Sequence, residues 1–233
     1  GWPGGKSEAD DSNRPERAEP SKKKVLIFSP HPDDDIISMG GTFQRLVDQG
    51  HDVHVAYQTS GNIAVADDEA LRFIEFVKDF NDQFQVQNEQ TEKIYDDALD
   101  FLNRKKNGEK DSLALRYVKG LIRKGEARNA CRFVGVPHGC IHFLSLPFYE
   151  TGTIEKRPIG RDDIAIIAKV IEEIQPHQIY AAGDLADPHG THKVCLEVIF
   201  AAIESLKAKP FMQDCRIWLY KGAWAEWDLD VIE

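Results

Sequence analysis

The sequence predicts an α/β protein on a doubly wound, mainly parallel sheet, a Rossmann-like three-layer sandwich carrying a helical insertion. Three observations support this. Lys24 to Ser29 (KVLIFS) is a continuous apolar run of the kind buried on both faces of a parallel sheet. A helical pattern and a second strand follow with short links, which makes a βαβ unit. The same alternation returns after residue 140.

The first helix runs from Ile36 to Gln49, where Ile37, Phe43, Leu46 and Val47 recur at helical spacing and Gly50 ends it. His51 to Gln58 alternates as the second strand. Asp67 to Arg132 then carries helical patterns with few strand signals, broken by the charged loop Arg104 to Asp111. That stretch is long for one crossover, so about 67–120 reads as an insertion of two or three helices. Cys140 to Leu144 makes a strand, Asp162 to Ile174 a helix and His177 to Ala182 a strand. His189 to Leu206 is a long helix, and Cys215 to Tyr220 the last strand. Residues 1–23 are polar and rich in Gly, Pro and charge, and read as a linker. The remaining 24–233 form one domain, and both ends read as cuts from a longer chain.

Composition narrows the function. A chain of 233 residues supports one full core. A formal charge of -10 argues against a nucleic-acid binder, which needs a basic surface. No apolar run approaches the roughly 20 residues of a membrane span, and the N-terminus lacks a signal peptide's apolar core. Cys131, Cys140, Cys195 and Cys215 are scattered without a C-x-x-C pair. They read as reduced thiols of a cytoplasmic protein, Cys140 and Cys195 as small core residues.

Two clusters carry chemistry. Ser29-Pro30-His31-Pro32-Asp33-Asp34-Asp35 directly follows the first strand. A turn there wants one Asp or Asn and a Pro, not a histidine and three carboxylates. Packed carboxylates repel one another, and a bound cation relieves this. The second cluster, Asp187-Pro188-His189-Gly190-Thr191-His192, follows the strand ending at Ala182. A helix starting near His189 would set His189 and His192, at i and i+3, on one face of its first turn. Ligands of such sheets sit at the carboxyl ends of the strands, where both clusters fall. Mixed imidazole and carboxylate donors suit Zn2+, or Fe2+ or another divalent metal, and not an all-oxygen calcium or magnesium site.

The H-P-D-D motif after the first strand and the late P-H-x-x-H-like motif resemble those of the PIG-L/LmbE deacetylases. The resemblance extends to Gly40-Gly41-Thr42, to Thr59-Ser60-Gly61-Asn62, and to Arg123-Lys124-Gly125-Glu126-Ala127 with the later Gly135-Val136. It covers roughly residues 24 to 220. By this resemblance His31, Asp34 and His192 are the metal ligands and Asp33 the general base. His189 stabilises the oxyanion, and Arg123 helps shape the substrate pocket. Asp35 stands where the family has Glu, and Gly190-Thr191 where it has Pro-Asp. The implied activity is zinc-dependent removal of the acetyl group from an N-acetylglucosamine-type amino sugar. The implied partner is a fused or neighbouring amino-sugar enzyme domain, because similar H-P-D-D-D segments follow glucosamine-6-phosphate deaminase-like domains.

Two other readings stand beside this one: an amidase of a different small-molecule amide, and a non-catalytic sugar- or metal-binding regulatory module. Asp33 counts against the latter, since a binding module has no use for an uncoordinated base. A dinucleotide-binding protein is excluded by the lack of G-x-G-x-x-G after the first strand. Elsewhere, His51 and His54 read as surface or edge residues; His138 and His142 surround a strand that, by the resemblance, reaches the substrate mouth, with contact to substrate as their alternative reading. Phe148 and Tyr149 read as core, with stacking on a sugar ring as the alternative. Trp218, Trp224 and Trp227 read as closing a hydrophobic edge.

Overall fold

Strand β1 (Lys24–Ser29) is buried from its second residue onward, as its unbroken apolar run requires. In the computed structural model, which describes residues 21–106, 108–153, 155–183 and 187–222, it is the middle strand of five. The others are β2 (Asp52–Tyr57), β3 (Ile141–Phe143), β4 (Gln178–Ala182) and β5 (Arg216–Tyr220). All neighbours pair in parallel, in the order β3-β2-β1-β4-β5. The order reverses at β1, which pairs with β2 on one side and β4 on the other. A crevice therefore opens beyond the carboxyl ends of β1 and β4. The fold is the doubly wound α/β sandwich that the strand pattern predicts, with element ends shifted by one or two residues.

Six helices complete the fold: α1 (Asp34–Asp48), α2 (Asp67–Phe84), α3 (Glu89–Arg104), α4 (Leu113–Val134), α5 (Arg161–Ile174) and α6 (Thr191–Leu206). Because side chains alternate along a strand, β1 sends Val25 and Ile27 to one face and Leu26 and Phe28 to the other. Val25 and Ile27 pack with Phe43 and Leu46 of α1 and with Ala127 and Cys131 of α4. Leu26 and Phe28 pack with Ile167 and Ile171 of α5 and with Val198 and Ile199 of α6.

The expected insertion falls on α2, α3 and the first part of α4. It has its own small core of Val65, Ala70, Ile74, Ala98, Leu115 and Ile122. The last turns of α4 return to the sheet, which is why a helical pattern runs unbroken to Arg132. Four charges staple the insertion. Lys119 Nζ lies 2.7 Å from both Asp67 and Asp111, and Lys105 Nζ lies 2.7 Å from Asp67 and 2.5 Å from Asp111. The apolar surface of α2 is not all covered: Phe76, Phe80 and Phe84 recur every four residues and are exposed.

Several side chains sit where the sequence did not put them. Ile37, expected in the core, is 64% exposed. His51, expected at the surface, is buried, and its Nδ1 accepts from the Lys23 backbone N–H at 3.1 Å. Cys140 is half-buried, packed against the margin of the Val25 and Ile27 core with Asp52 and His54 close by. Trp218 stacks on Tyr180 at the β5 edge, while Trp224, Trp227 and nearly all of the expected linker lie outside the described residues. No described helix is long and apolar enough to cross a membrane.

Candidate active site

The chain leaves β1 at Ser29 and enters α1 at Asp34, so the first cluster is a tight turn at the crevice. Backbone hydrogen bonds from Ile36 and Ile37 to the Asp33 carbonyl start the helix. Asp34 and Asp35 lie in its first turn, where the helix dipole favours negative charge. The turn doubles back so that the His31 backbone N–H donates to Asp34 Oδ2 at 2.9 Å, and His31 Nδ1 lies 3.1 Å from the same oxygen.

The second cluster does not form as expected. The helix begins at Thr191, two residues late, because Gly190 has φ +66 and closes a turn back to Asp187. His189 therefore stands before the helix, exposed, and His192 lies inside its first turn, buried. Asp187 organises both. Its two carboxylate oxygens accept from the backbone N–H groups of His189 at 2.9 Å and of His192 at 3.1 Å. Burial raises the Asp187 pKa, but these hydrogen bonds outweigh it and hold the carboxyl below its usual range. These bonds, to N–H groups two and five residues on, are local and of the kind an Asp makes at the start of a helix.

The two segments meet through β1–β4 pairing. His192 Nε2 lies 3.3 Å from Asp34 Oδ2, and the two histidine rings are 5.3 Å apart. One donor atom each from His31, Asp34 and His192 thus falls within 4.8 Å of the others. Burial alone would raise the Asp34 pKa, yet hydrogen bonds and charge from His192 and His31 drive it well below the carboxylate range. Two imidazoles and an ionised carboxylate make a donor set for zinc or a similar cation. Separations of 3.1–3.3 Å also fit donors that share one tetrahedral ion at bond lengths of about 2.0–2.2 Å.

Asp33 points elsewhere. Its Oδ2 accepts from Arg123 Nη2 at 2.8 Å, and Arg123 also pairs with Glu126 at 2.8 Å. Arg123 sits on α4, so the insertion's longest helix fixes a carboxylate of the first turn. Gly61 makes the approach feasible. It has φ +64, and a Cβ there would lie 2.9 Å from Pro32 and 3.2 Å from the Arg123 Nε. Glu150 anchors this loop by accepting from Ser60 N–H at 3.1 Å and Asn62 Nδ2 at 3.3 Å.

All six residues singled out from the sequence (His31, Asp33, Asp34, Arg123, His189 and His192) line one cavity of about 410 Å³. Ile37, Tyr149 and Lys156 line it too. Tyr149 packs its ring edge-on to His31 at 5.8 Å, so it is a wall of the site as well as a core residue. Lys156 donates to the His189 carbonyl at 2.8 Å. Neither Lys156 nor Ile37 carries a signal that would mark it in the sequence. His138 and His142 are not among the lining residues.

Comparison with known proteins gives the same neighbourhood. Residues 26–203 match the family described as PIG-L: GlcNAc-PI de-N-acetylase. A putative glucosamine-6-phosphate deaminase-like protein of Bacteroides thetaiotaomicron is 55% identical over 236 residues, spanning all of this chain but 36% of that protein. A diacetylchitobiose deacetylase of Thermococcus kodakarensis is 47% identical over 47 residues, 20% of this chain and 18% of its own. Among solved structures, the N,N'-diacetylchitobiose deacetylase of Pyrococcus horikoshii superposes with a TM-score of 0.51 at 22% identity, covering 86% of this chain and 61% of its own. The hydratase GalB of Pseudomonas putida gives a TM-score of 0.50 at 19% identity, covering 87% and 63%. The fold therefore hosts more than one reaction, and the chemistry has to be argued from the site.

Proposed function

Because this chain belongs to the PIG-L family, we propose that it is a metal-dependent N-deacetylase acting on an N-acetylglucosamine-type amino sugar. The observation that carries the reading is the single cavity in which the donors of His31, Asp34 and His192 converge beside Asp33, a carboxylate held out of that group by Arg123.

In this reading His31, Asp34 and His192 would hold Zn2+, or another divalent ion such as Fe2+, which would acidify a water and polarise the substrate carbonyl. Asp33 takes the water's proton and delivers it to the departing amine, which needs protonation to leave. Arg123 orients the Asp33 carboxylate toward the cavity and keeps it from turning to Asp34. His189, exposed on its turn, donates to the oxygen that becomes negative in the tetrahedral intermediate. Tyr149 and Ile37 offer apolar surface to the acetyl methyl and the sugar face. The names of the chitobiose deacetylases and of the longer Bacteroides relative support an amino sugar, and we extend to this chain the association with a neighbouring amino-sugar enzyme.

The test is metal content of the purified protein together with acetate release from N-acetylglucosamine and its 6-phosphate. We expect release of acetate and a metal bound by this group, with acetate release lost and metal content lower by one ion per chain in His31→Ala. Asp33→Asn is expected to keep its metal while kcat falls by about 10²–10⁴. Turnover that survives Asp33→Asn would remove the assigned base, and absence of metal under every loading condition would overturn the reading.

A further inference from the structure

We propose a second metal site, for a zinc-like divalent cation, built from Asp52, His54 and Cys140 at the amino-terminal end of β2 and β3, with His142 orienting His54. The inference does not depend on the deacetylase reading, because it uses other residues at the other end of the strands.

The backbone brings these groups together. Asp52 and His54 are two apart on β2 and so point to the same face of the sheet. The parallel register pairs Val55 with Ile141, and one step back it sets Cys140 beside His54. Donor atoms of Asp52, His54 and Cys140 all lie within 4.8 Å of one another. The same register pairs Ala56 with His142, diagonal to His54 on that face.

The chemistry of the four side chains fits one ion. His54 Nδ1 lies 3.0 Å from His142 Nε2, with the rings stacked at 5.3 Å and 20°. His54 Nε2 lies 3.4 Å from Asp52 Oδ1. When Nδ1–H donates to His142, Nε2 presents its lone pair to Asp52 and Cys140. Metal-binding histidines are held in such a tautomer by an acceptor behind them. Thiol, imidazole and carboxylate together select a borderline-soft ion over calcium or magnesium. On binding, the Cys140 S–H bond breaks, its proton passes to solvent and sulfur bonds the cation, while the His54–His142 pair only exchanges tautomers. The ion would tie down β3, a three-residue strand at the sheet edge that is paired on one side.

The experiment titrates the reduced, chelator-stripped full chain with Co2+. A thiolate bound to cobalt gives a near-ultraviolet charge-transfer band, which the His31–Asp34–His192 group cannot produce because it has no sulfur. The expected band saturates at one equivalent in His31→Ala, where only this site remains, and by two equivalents in the wild type, and is displaced by Zn2+ but not by Ca2+. It is expected to vanish in Cys140→Ser and in His54→Ala, and to need about tenfold more cobalt in His142→Ala. Circular dichroism melts of the variants establish that each is folded. Absence of the band in the wild type with its thiols titrated as reduced, or its survival in folded Cys140→Ser, would overturn the proposal.

Discussion

Asp34 and Asp35 are neighbours in sequence with opposite electrostatic fates. Asp34 is drawn below the carboxylate range by two histidines. Asp35 has no cation near it, and burial pushes its pKa up to about 6 despite hydrogen bonds from Tyr57 at 2.8 Å and from Ser29. Its partners show what it does: through Ser29 and Tyr57 it ties the start of α1 to the ends of β1 and β2. A carboxyl whose folded pKa is raised binds more protons in the native state than in the unfolded one. Its contribution is therefore fully present below about pH 4 and lost as pH rises through about 6. Two units correspond to up to about 3 kcal/mol. Urea unfolding of chelated protein should show stability falling over that window, and Asp35→Asn should flatten the slope and be the more stable form at pH 7. An unchanged slope would mean that Asp35 stays ionised when buried. The H-P-D-D-D string could not reveal this division, because it depends on how deeply the fold buries Asp35 and on His192, 158 residues from Asp34.

The insertion is held at the level of elements by the Lys105, Lys119, Asp67 and Asp111 staple. Lys119 is 4% exposed, so it needs both carboxylates. Asp111 is the more buried partner, its side chain 13% exposed against 42% for Asp67. Removing a buried partner leaves an uncompensated charge, whereas an exposed one is screened. Asp111→Asn should therefore destabilise the protein by about 1–3 kcal/mol and Asp67→Asn by less, as read from denaturant midpoints at unchanged m-value. Equal losses would show that the staple is solvated. Helical periodicity showed that helices lie here and where the charged loop breaks them. It could not show that α4 leaves the insertion, returns to the sheet core and carries Arg123 to Asp33.

For the whole molecule, the cavity joins the two halves of the sheet: His31 and Asp34 follow β1, and His192 enters from the helix after β4. A cation shared by them binds the native state and not the dispersed segments, so it should stabilise the fold by mass action. At a hundredfold excess over Kd the gain is about 2.7 kcal/mol, which for a chain of this size corresponds to roughly 5–10 °C in Tm. Calorimetry with and without Zn2+ should show this rise in Cys140→Ser, which lacks the second site, and its loss in Cys140→Ser/His192→Ala. A rise that persists in the double variant would place the stabilising ion elsewhere.

The sequence by itself determined the sheet, the order of its strands along the chain, and six of the residues that line the cavity. Buried strands, helical spacing and clusters of acidic and imidazole groups are local patterns, and short parallel crossovers leave few ways to arrange them. The tertiary structure alone decided the meeting of His192 with Asp34, the pairing of Arg123 with Asp33, and the presence of Ile37, Tyr149 and Lys156 at the site. It also turned His54 and Cys140, which read as an edge residue and a core thiol, into members of one polar group. Each depends on which segments meet across the sheet, and hydrogen bonds and charges between segments far apart in the chain leave no periodicity to read.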